Sequence, residues 1–437
     1  MVPAVYQTLE PDQDVILYDG EMRVTKDADS MVGHGTIELE WEPQPRVIFT
    51  FDIPPEIDFR WTMEALSSFF EVTIELTGER HGRGSAHTTG LSISIVTGVS
   101  YDRTLSGIVD DEFDVGDPAP TDSVVFHVPN FPRYIGTEIS SNGAVWAGRL
   151  TTQTADWIVE MDAVPHHSDL RDKLEARGGY VINHVGRIRR VDGNPVGYDD
   201  MQDIGQVLRW WLSLLRAQRT EAMLLCGSHE NRIVWERWRS PSVEPWIGRR
   251  GWLPDLLRPQ AGASAVADFG PVLQTLLGMK SDPELSRVIP RAIDWYTQCA
   301  TTVHMETRVI LAQAGLEILS WLRLVGEIGI SHDSFNRMDS SDTFRLALDH
   351  ASVTSAVPIK LAALHAAAQT PPNVDGPTAI ADIRNGTVHP KPHQRFSDDQ
   401  VVIECGQLAL RYLELLLLHR LGYMGTALNR VKGPPRF

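Results

Sequence analysis

Cysteine is scarce in this chain. Cys226, Cys299 and Cys405 stand far apart among 437 residues. A set so sparse and odd in number excludes a disulfide scaffold and a thiolate metal cluster, and it suits a reducing cytosol. The N-terminus lacks the basic start and apolar core of a signal peptide. The most apolar late run, Leu408 to Leu418, is broken by Arg411, Tyr412 and Glu414 and is too short to span a bilayer. No phosphate loop is present, because Gly178-Gly179 and the later glycines lack the lysine and hydroxyl that complete one. Compact metal spacing is missing as well. Asp294, His304 and Glu306 are scattered, and His166-His167 with Asp169 falls at an expected exposed junction. The expectation is a cytoplasmic protein without membrane segment, metal or cofactor.

Positive charge is also in short supply. Net charge is −17, and it is unevenly spread. From residue 285 onward 15 Lys+Arg face 14 Asp+Glu, whereas the first 284 residues hold 25 against 43. A chain this acidic does not coat itself non-specifically with nucleic acid. Any RNA contact therefore belongs to a local basic site in the C-terminal part. The acidic front reads as a recognition or regulatory module.

Two periodicities divide the chain. Up to about residue 160, short β-branched or alternating segments such as Ile37–Trp41, Arg46–Phe51, Phe70–Leu76 and Leu91–Thr97 are separated by turn residues. They predict a β-sandwich or a distorted barrel. Ser168–Arg177 reads as a helix capped by Ser168 and ended by Gly178-Gly179, followed by a strand at Tyr180–Arg190. A helix over about 200–218 places Ile204, Val207, Leu208, Trp211, Leu212 and Leu215 on one side, and Ala222–Cys226 and Ile233–Trp238 read as late strands. Ser240–Gly262 reads as a surface linker. The period then becomes 3.6, with helices expected at Pro283–Cys299, Thr302–Val325, 341–349, 358–368, 376–389 and 398–420. Pro371-Pro372 and Pro390-Lys391-Pro392 act as stops. The fold class is thus α+β: a β-rich, sandwich-like domain over 1–260, then an all-helical bundle over 285–430.

The densest chemistry lies in Ile383-Arg384-Asn385-Gly386-Thr387-Val388-His389-Pro390. Helical spacing puts Asn385 and His389 on one face, with Arg384 one position round. Pro390 biases His389 out of the α region, to a helix end whose free carbonyls favour a cationic ring. Histidine can give or take a proton near neutral pH, and a guanidinium fork can hold a phosphodiester and its developing charge. Those abilities suit attack by a ribose 2′-OH on its own phosphate. The plain alternative is capping and surface hydrogen bonding. A single histidine is also a thin acid–base set, which a symmetric dimer would double.

The region from about 285 to 430 resembles HEPN ribonuclease domains, whose mark is Arg, a polar residue, intervening residues and His. The ending Leu418-His419-Arg420-Leu421-Gly422-Tyr423 resembles the ApeA branch, and Gly178-Gly179-Tyr180-Val181-Ile182-Asn183-His184-Val185-Gly186-Arg187-Ile188 is similar to the ApeA N-terminal domain. The resemblance implies an anti-phage abortive-infection endoribonuclease that cuts RNA (tRNA in the best-known case) after a phage-derived trigger. It implies catalytic Arg384, Asn385 and His389 in a HEPN dimer. Glu317, inside an apolar helix, is the candidate to hold Arg384 or His389, the alternative being another salt bridge. Lys391, His393 and Arg395 are candidate RNA contacts; the plain alternative is a solvated loop histidine at 393 and ordinary solubilising charge at 391 and 395. The tryptophans at 41, 61, 146 and 157 read as β-core, and Trp210-Trp211 with Trp235 and Trp238 as a patch for a ligand or for the helices. Two other readings remain: a non-catalytic binding or assembly module, and the toxin of a toxin–antitoxin pair.

Overall fold

A computed structural model describes residues 1–55, 69–96, 100–132, 134, 136–141, 144–248, 269–370, 373–389, 396 and 398–425. Two units make up the chain. The first comprises Met1–Arg133, Thr137–Gly205 and Thr220–Trp246; the second comprises Tyr134–Gly136, Gln206–Arg219 and Ile247–Phe437.

In the first unit, fourteen strands among the described residues join in one antiparallel sheet. Six of them run in the spatial order Glu71–Leu76, Val15–Lys26, Asp29–Glu40, Arg46–Asp52, Ser100–Val109 and Gly82–Val96. The last pairs back onto the first, so these six close into a barrel. Strand Phe113–Gly116 pairs with Gly82-Arg83 and leads the remaining seven strands out as an open sheet. Of the two expected forms, sandwich-like or distorted barrel, the barrel is the one formed: hydrogen bonds close it, and two facing sheets are not what builds it. Period-2 sequence places the interior. Along Arg46–Asp52, Val47, Phe49 and Phe51 are buried while Arg46, Ile48 and Thr50 are half-exposed. Close approach is needed at Gly107, where a Cβ would lie 2.3 Å from the His87 carbonyl oxygen and 2.4 Å from the Phe49 ring.

The N-terminal segment is pinned to this sheet by buried polar contacts. His127 Nε2 accepts from the N–H groups of Val5 (3.2 Å) and Tyr6 (3.1 Å), and its Nδ1 lies 3.1 Å from the Leu224 carbonyl oxygen. Those partners make Nδ1 the protonated nitrogen, and burial lowers the pKa of the ring to about 4. The Tyr6 hydroxyl donates to Glu236, which also pairs with Arg80. Helix α1 (His167–Arg177) starts after His166 in a left-handed conformation, not with a Ser168 cap, and ends at Gly178 and Gly179 with φ of 74° and 89°. Those left-handed glycines turn the chain so that Tyr180 N–H donates to Asp12 Oδ1 at 2.7 Å. Asn183 accepts from Phe131 N–H at 2.9 Å and donates to its carbonyl at 2.7 Å. Asn183 and His184 are thus buried within the β unit. Trp41 stacks on Tyr180 at 5.4 Å, and Trp157 is buried. Trp61 and the side chain of Trp146 lie outside the described residues. Trp211, Trp235 and Trp238 are buried, so they form no open patch. The late strands Met223–His229 and Arg232–Trp238 pair within the same sheet.

Helix α2 (Asp200–Arg216) buries Ile204, Val207, Leu208, Trp211, Leu212 and Leu215, and its residues from Gln206 onward belong to the second unit. That unit continues, among the described residues, with α3 (Gly270–Gly278), α4 (Pro283–Thr301), α5 (Met305–Trp321), α6 (His332–Asn336), α7 (Ser340–His350), α8 (Ala362–Gln369), α9 (Gly376–Val388) and α10 (Asp399–Arg420). From residue 249 the expected linker lies outside the described residues. Helix α5 packs against α4, α7, α9 and α10, around buried Tyr296, Leu316, Phe344, Ile380 and Leu413. It runs into a π-helical turn at Leu322–Glu327. The run Met305–Glu327 is long and apolar enough to cross a membrane, but half of its apolar window is buried within the protein, as in the core helix of a bundle. All three cysteines are buried free thiols.

Candidate active site at the end of helix α9

Helix α9 is fastened at its start. Pro377 occupies its first turn, and the Asp375 side chain accepts from Thr378 N–H at 3.1 Å and Thr378 Oγ1 at 2.8 Å. Arg345 of α7 donates to the same carboxylate through Nε at 2.7 Å and Nη2 at 3.2 Å. Burial raises the Asp375 pKa, but the hydrogen bonds from Arg345 and Thr378 outweigh it, so the carboxyl lies below its ordinary value. Along the helix Gly376, Ala379, Ile380 and Ile383 face the core, at the i, i+3, i+4, i+7 spacing of one apolar stripe.

Past Ile383 the helix turns its chemistry outward. Arg384 is half-buried at the margin of the apolar stripe; Asn385 and His389 are exposed. Arg384 Nη1 donates to Asn385 Oδ1 at 3.1 Å, so the amide holds the guanidinium beside it. The backbone leaves the helix at His389, with φ −128° and ψ 77°, while its N–H still donates to Asn385 O at 2.8 Å. The imidazole therefore stands exposed at the helix end. A guanidinium that can hold an anion and an imidazole that can exchange a proton lie within the last turns of one helix.

The other proposed residues fare differently. Lys391, His393 and Arg395 lie outside the described residues. Glu317 is exposed rather than buried, and it accepts from Gln313 Nε2 at 2.8 Å and Ser340 Oγ at 3.3 Å. It sits in an apolar run yet points away from the core, so it needs no buried cation, and its bonds go neither to Arg384 nor to His389. Instead Glu317 lines a groove of about 790 Å³ between α4 and α5. His167 is buried against the ring of His184 at 4.9 Å, and among the described residues no group of three His, Cys, Asp or Glu is placed to hold a metal. Sequence reasoning missed the Arg345–Asp375–Thr378 cluster that fastens α9. The Asp375-Gly376-Pro377 start carried a capping signal, but its cationic partner lies 30 residues earlier.

Fold and site define an α+β protein in which a closed barrel with an extended sheet precedes a helical unit bearing an Arg-Asn…His helix end. Residues 116–249 match the family model of the YopA central domain, and residues 282–436 match that of the YopA C-terminal domain. These are YopA models rather than ApeA or HEPN models. The chain is similar to the SPbeta prophage-derived uncharacterized protein YopA of Bacillus subtilis (strain 168), with 25% identity over 427 residues that cover 97% of this chain and 93% of the relative. No solved structure matches the chain. The candidate site falls inside the segment that matches the YopA C-terminal domain.

Proposed function

We propose that the chain is a HEPN-type endoribonuclease in which Arg384 and His389 are catalytic and Asn385 positions Arg384. The observation that supports this most is the solvent-facing end of α9, where Arg384, Asn385 and His389 are accessible together. In the reaction His389 takes the proton of a ribose 2′-OH as its oxygen attacks the adjacent phosphorus. The bond to the 5′ oxygen breaks, leaving a 2′,3′-cyclic phosphate, and the departing oxygen is protonated. Arg384 binds the non-bridging oxygens as their charge grows. One imidazole supplies one of the two proton transfers; the same motif on a second copy, across a symmetry axis, supplies the other. Lys391, His393 and Arg395 are assigned to flanking phosphates. DNA lacks the nucleophile and survives.

The finer assignment is an ApeA-like defence protein whose acidic β unit holds the nuclease quiet until a phage-derived trigger arrives. It rests on the motif resemblance, and similarity to a prophage-derived protein suits a gene carried by one phage against another. The test is cleavage of total RNA and tRNA by the full chain from phage-challenged cells, with chelator present. Cut ends bearing cyclic phosphate are expected from the parent chain and not from R384A or H389A. Equal cleavage by the doubly substituted protein rejects the assignment.

A further inference from the structure

The groove between α4 and α5 is built from a combination that bundle packing does not require. Arg287, Arg291 and Trp295 follow one another at four-residue spacing on α4, and Glu317 and Trp321 face them from α5. Asp294 completes the wall. Arg287 lies over the Trp321 ring, 5.0 Å from its centroid, a cation–π contact on the wall of the groove. Among the described residues Arg291 and Asp294 make no ion pair, although opposite charges line the same hollow. Trp295 is half-buried, yet among the described residues its indole N–H has no hydrogen-bond partner and its ring no aromatic contact. Its indole ring and N–H are therefore available to a ligand in the groove. At about 790 Å³ the hollow is of the size that takes small organic ligands.

The lining selects a ligand by its mixture. A purely acidic ligand would meet Asp294 and Glu317, and a purely basic one would meet Arg287 and Arg291. A nucleoside phosphate carries three complementary parts: an anionic end, a planar base, and hydroxyl or amino donors. We propose that this groove binds a nucleoside phosphate, with phosphate on Arg291 and Arg287, the base on Trp295, and ribose or amino donors on Glu317 and Asp294. Arg291 and Trp295 are one turn apart, about 6 Å along the axis, so a phosphate and a base of one nucleotide can be met together. The nucleotide comes either free, as an effector, or as one unit of an RNA strand. This site goes beyond the nuclease reading and does not depend on it.

The experiment is calorimetric titration of the full-length H389A variant, so that cleavage cannot consume the probe, with AMP and separately with a five-nucleotide oligoadenylate. One saturable equivalent per chain is expected for at least one probe. R291A and W295L, both at groove-lining positions outside the core, each weaken it about tenfold or more with an unchanged melting temperature; K360A leaves it unaltered. AMP that binds and displaces the oligonucleotide identifies a free-nucleotide site, and binding of the oligonucleotide alone identifies an RNA-strand site. No saturable binding of either probe at millimolar concentration overturns the proposal. So does binding that survives both R291A and W295L, or that falls equally with K360A. Failure here leaves cleavage at Arg384 and His389 untouched, and failure of cleavage leaves this binding untouched.

Discussion

His127 makes the stability of the β unit depend on pH in a way that can be worked from its contacts. The ring is fully buried, and its Nε2 accepts from two backbone N–H groups, those of Val5 and Tyr6. A proton added there removes the acceptor and places a charge where water cannot reach it. Burial accordingly holds the folded pKa at about 4, against 6.5 in the unfolded chain. The folded value is depressed, so the unfolded state takes up the proton first as the pH falls. Stability from this group is complete above about pH 6.5, is lost progressively on acidification, and is gone near pH 4. At about 1.4 kcal/mol per pH unit the loss totals about 3 kcal/mol. His184, also buried and with its pKa lowered by burial and by neighbouring His167, adds a change of the same sign. Urea unfolding followed by tryptophan fluorescence at several pH values across that window measures the slope. In H127Q an acceptor remains near Val5 and Tyr6 but cannot titrate, so the slope should fall by up to about 1.4 kcal/mol per unit. A slope equal in H127Q and the parent chain refutes the reasoning.

Further outcomes follow from the site and the barrel. R384A and H389A should abolish RNA cleavage while changing unfolding free energy by less than about 1 kcal/mol, because His389 is exposed and, among the described residues, the half-buried Arg384 bonds only to the exposed Asn385; circular dichroism melts check the second half. D375N keeps a capping side chain but loses the charged pairing with Arg345, and should weaken the start of α9 by about 1 kcal/mol near neutral pH, read as faster hydrogen exchange in its first turns. The Asp375 pKa is depressed in the folded state, so this deficit should shrink as the pH falls through that folded value. G107V should cost about 3 kcal/mol in urea unfolding, since its Cβ would meet the His87 carbonyl at 2.3 Å with no flexible group to yield.

Elements carrying their own period are legible in the sequence. The helices Ser340–His350, Gly376–Val388 and Asp399–Arg420 fall close to the spans expected from apolar spacing and proline stops. Asn385 and His389 were readable as one outward face, because four residues separate them and the apolar stripe ends at Ile383. Glu317 misled: a carboxylate in an apolar run suggests burial, yet it is exposed where α5 borders a groove. The Ser168 cap failed because the chain enters α1 in a left-handed turn at His166, a conformation that composition does not encode.

Residue order alone therefore determined the change from period 2 to period 3.6, the helix stops, and the Arg384–His389 spacing, all of which arise between near neighbours in the chain. Only tertiary structure decided that six strands close on one another, that Arg345 reaches Asp375, and that two arginines and two tryptophans share one hollow. Such contacts join residues tens of positions apart. Their free energy depends on which surfaces remain to be covered once each local element has formed.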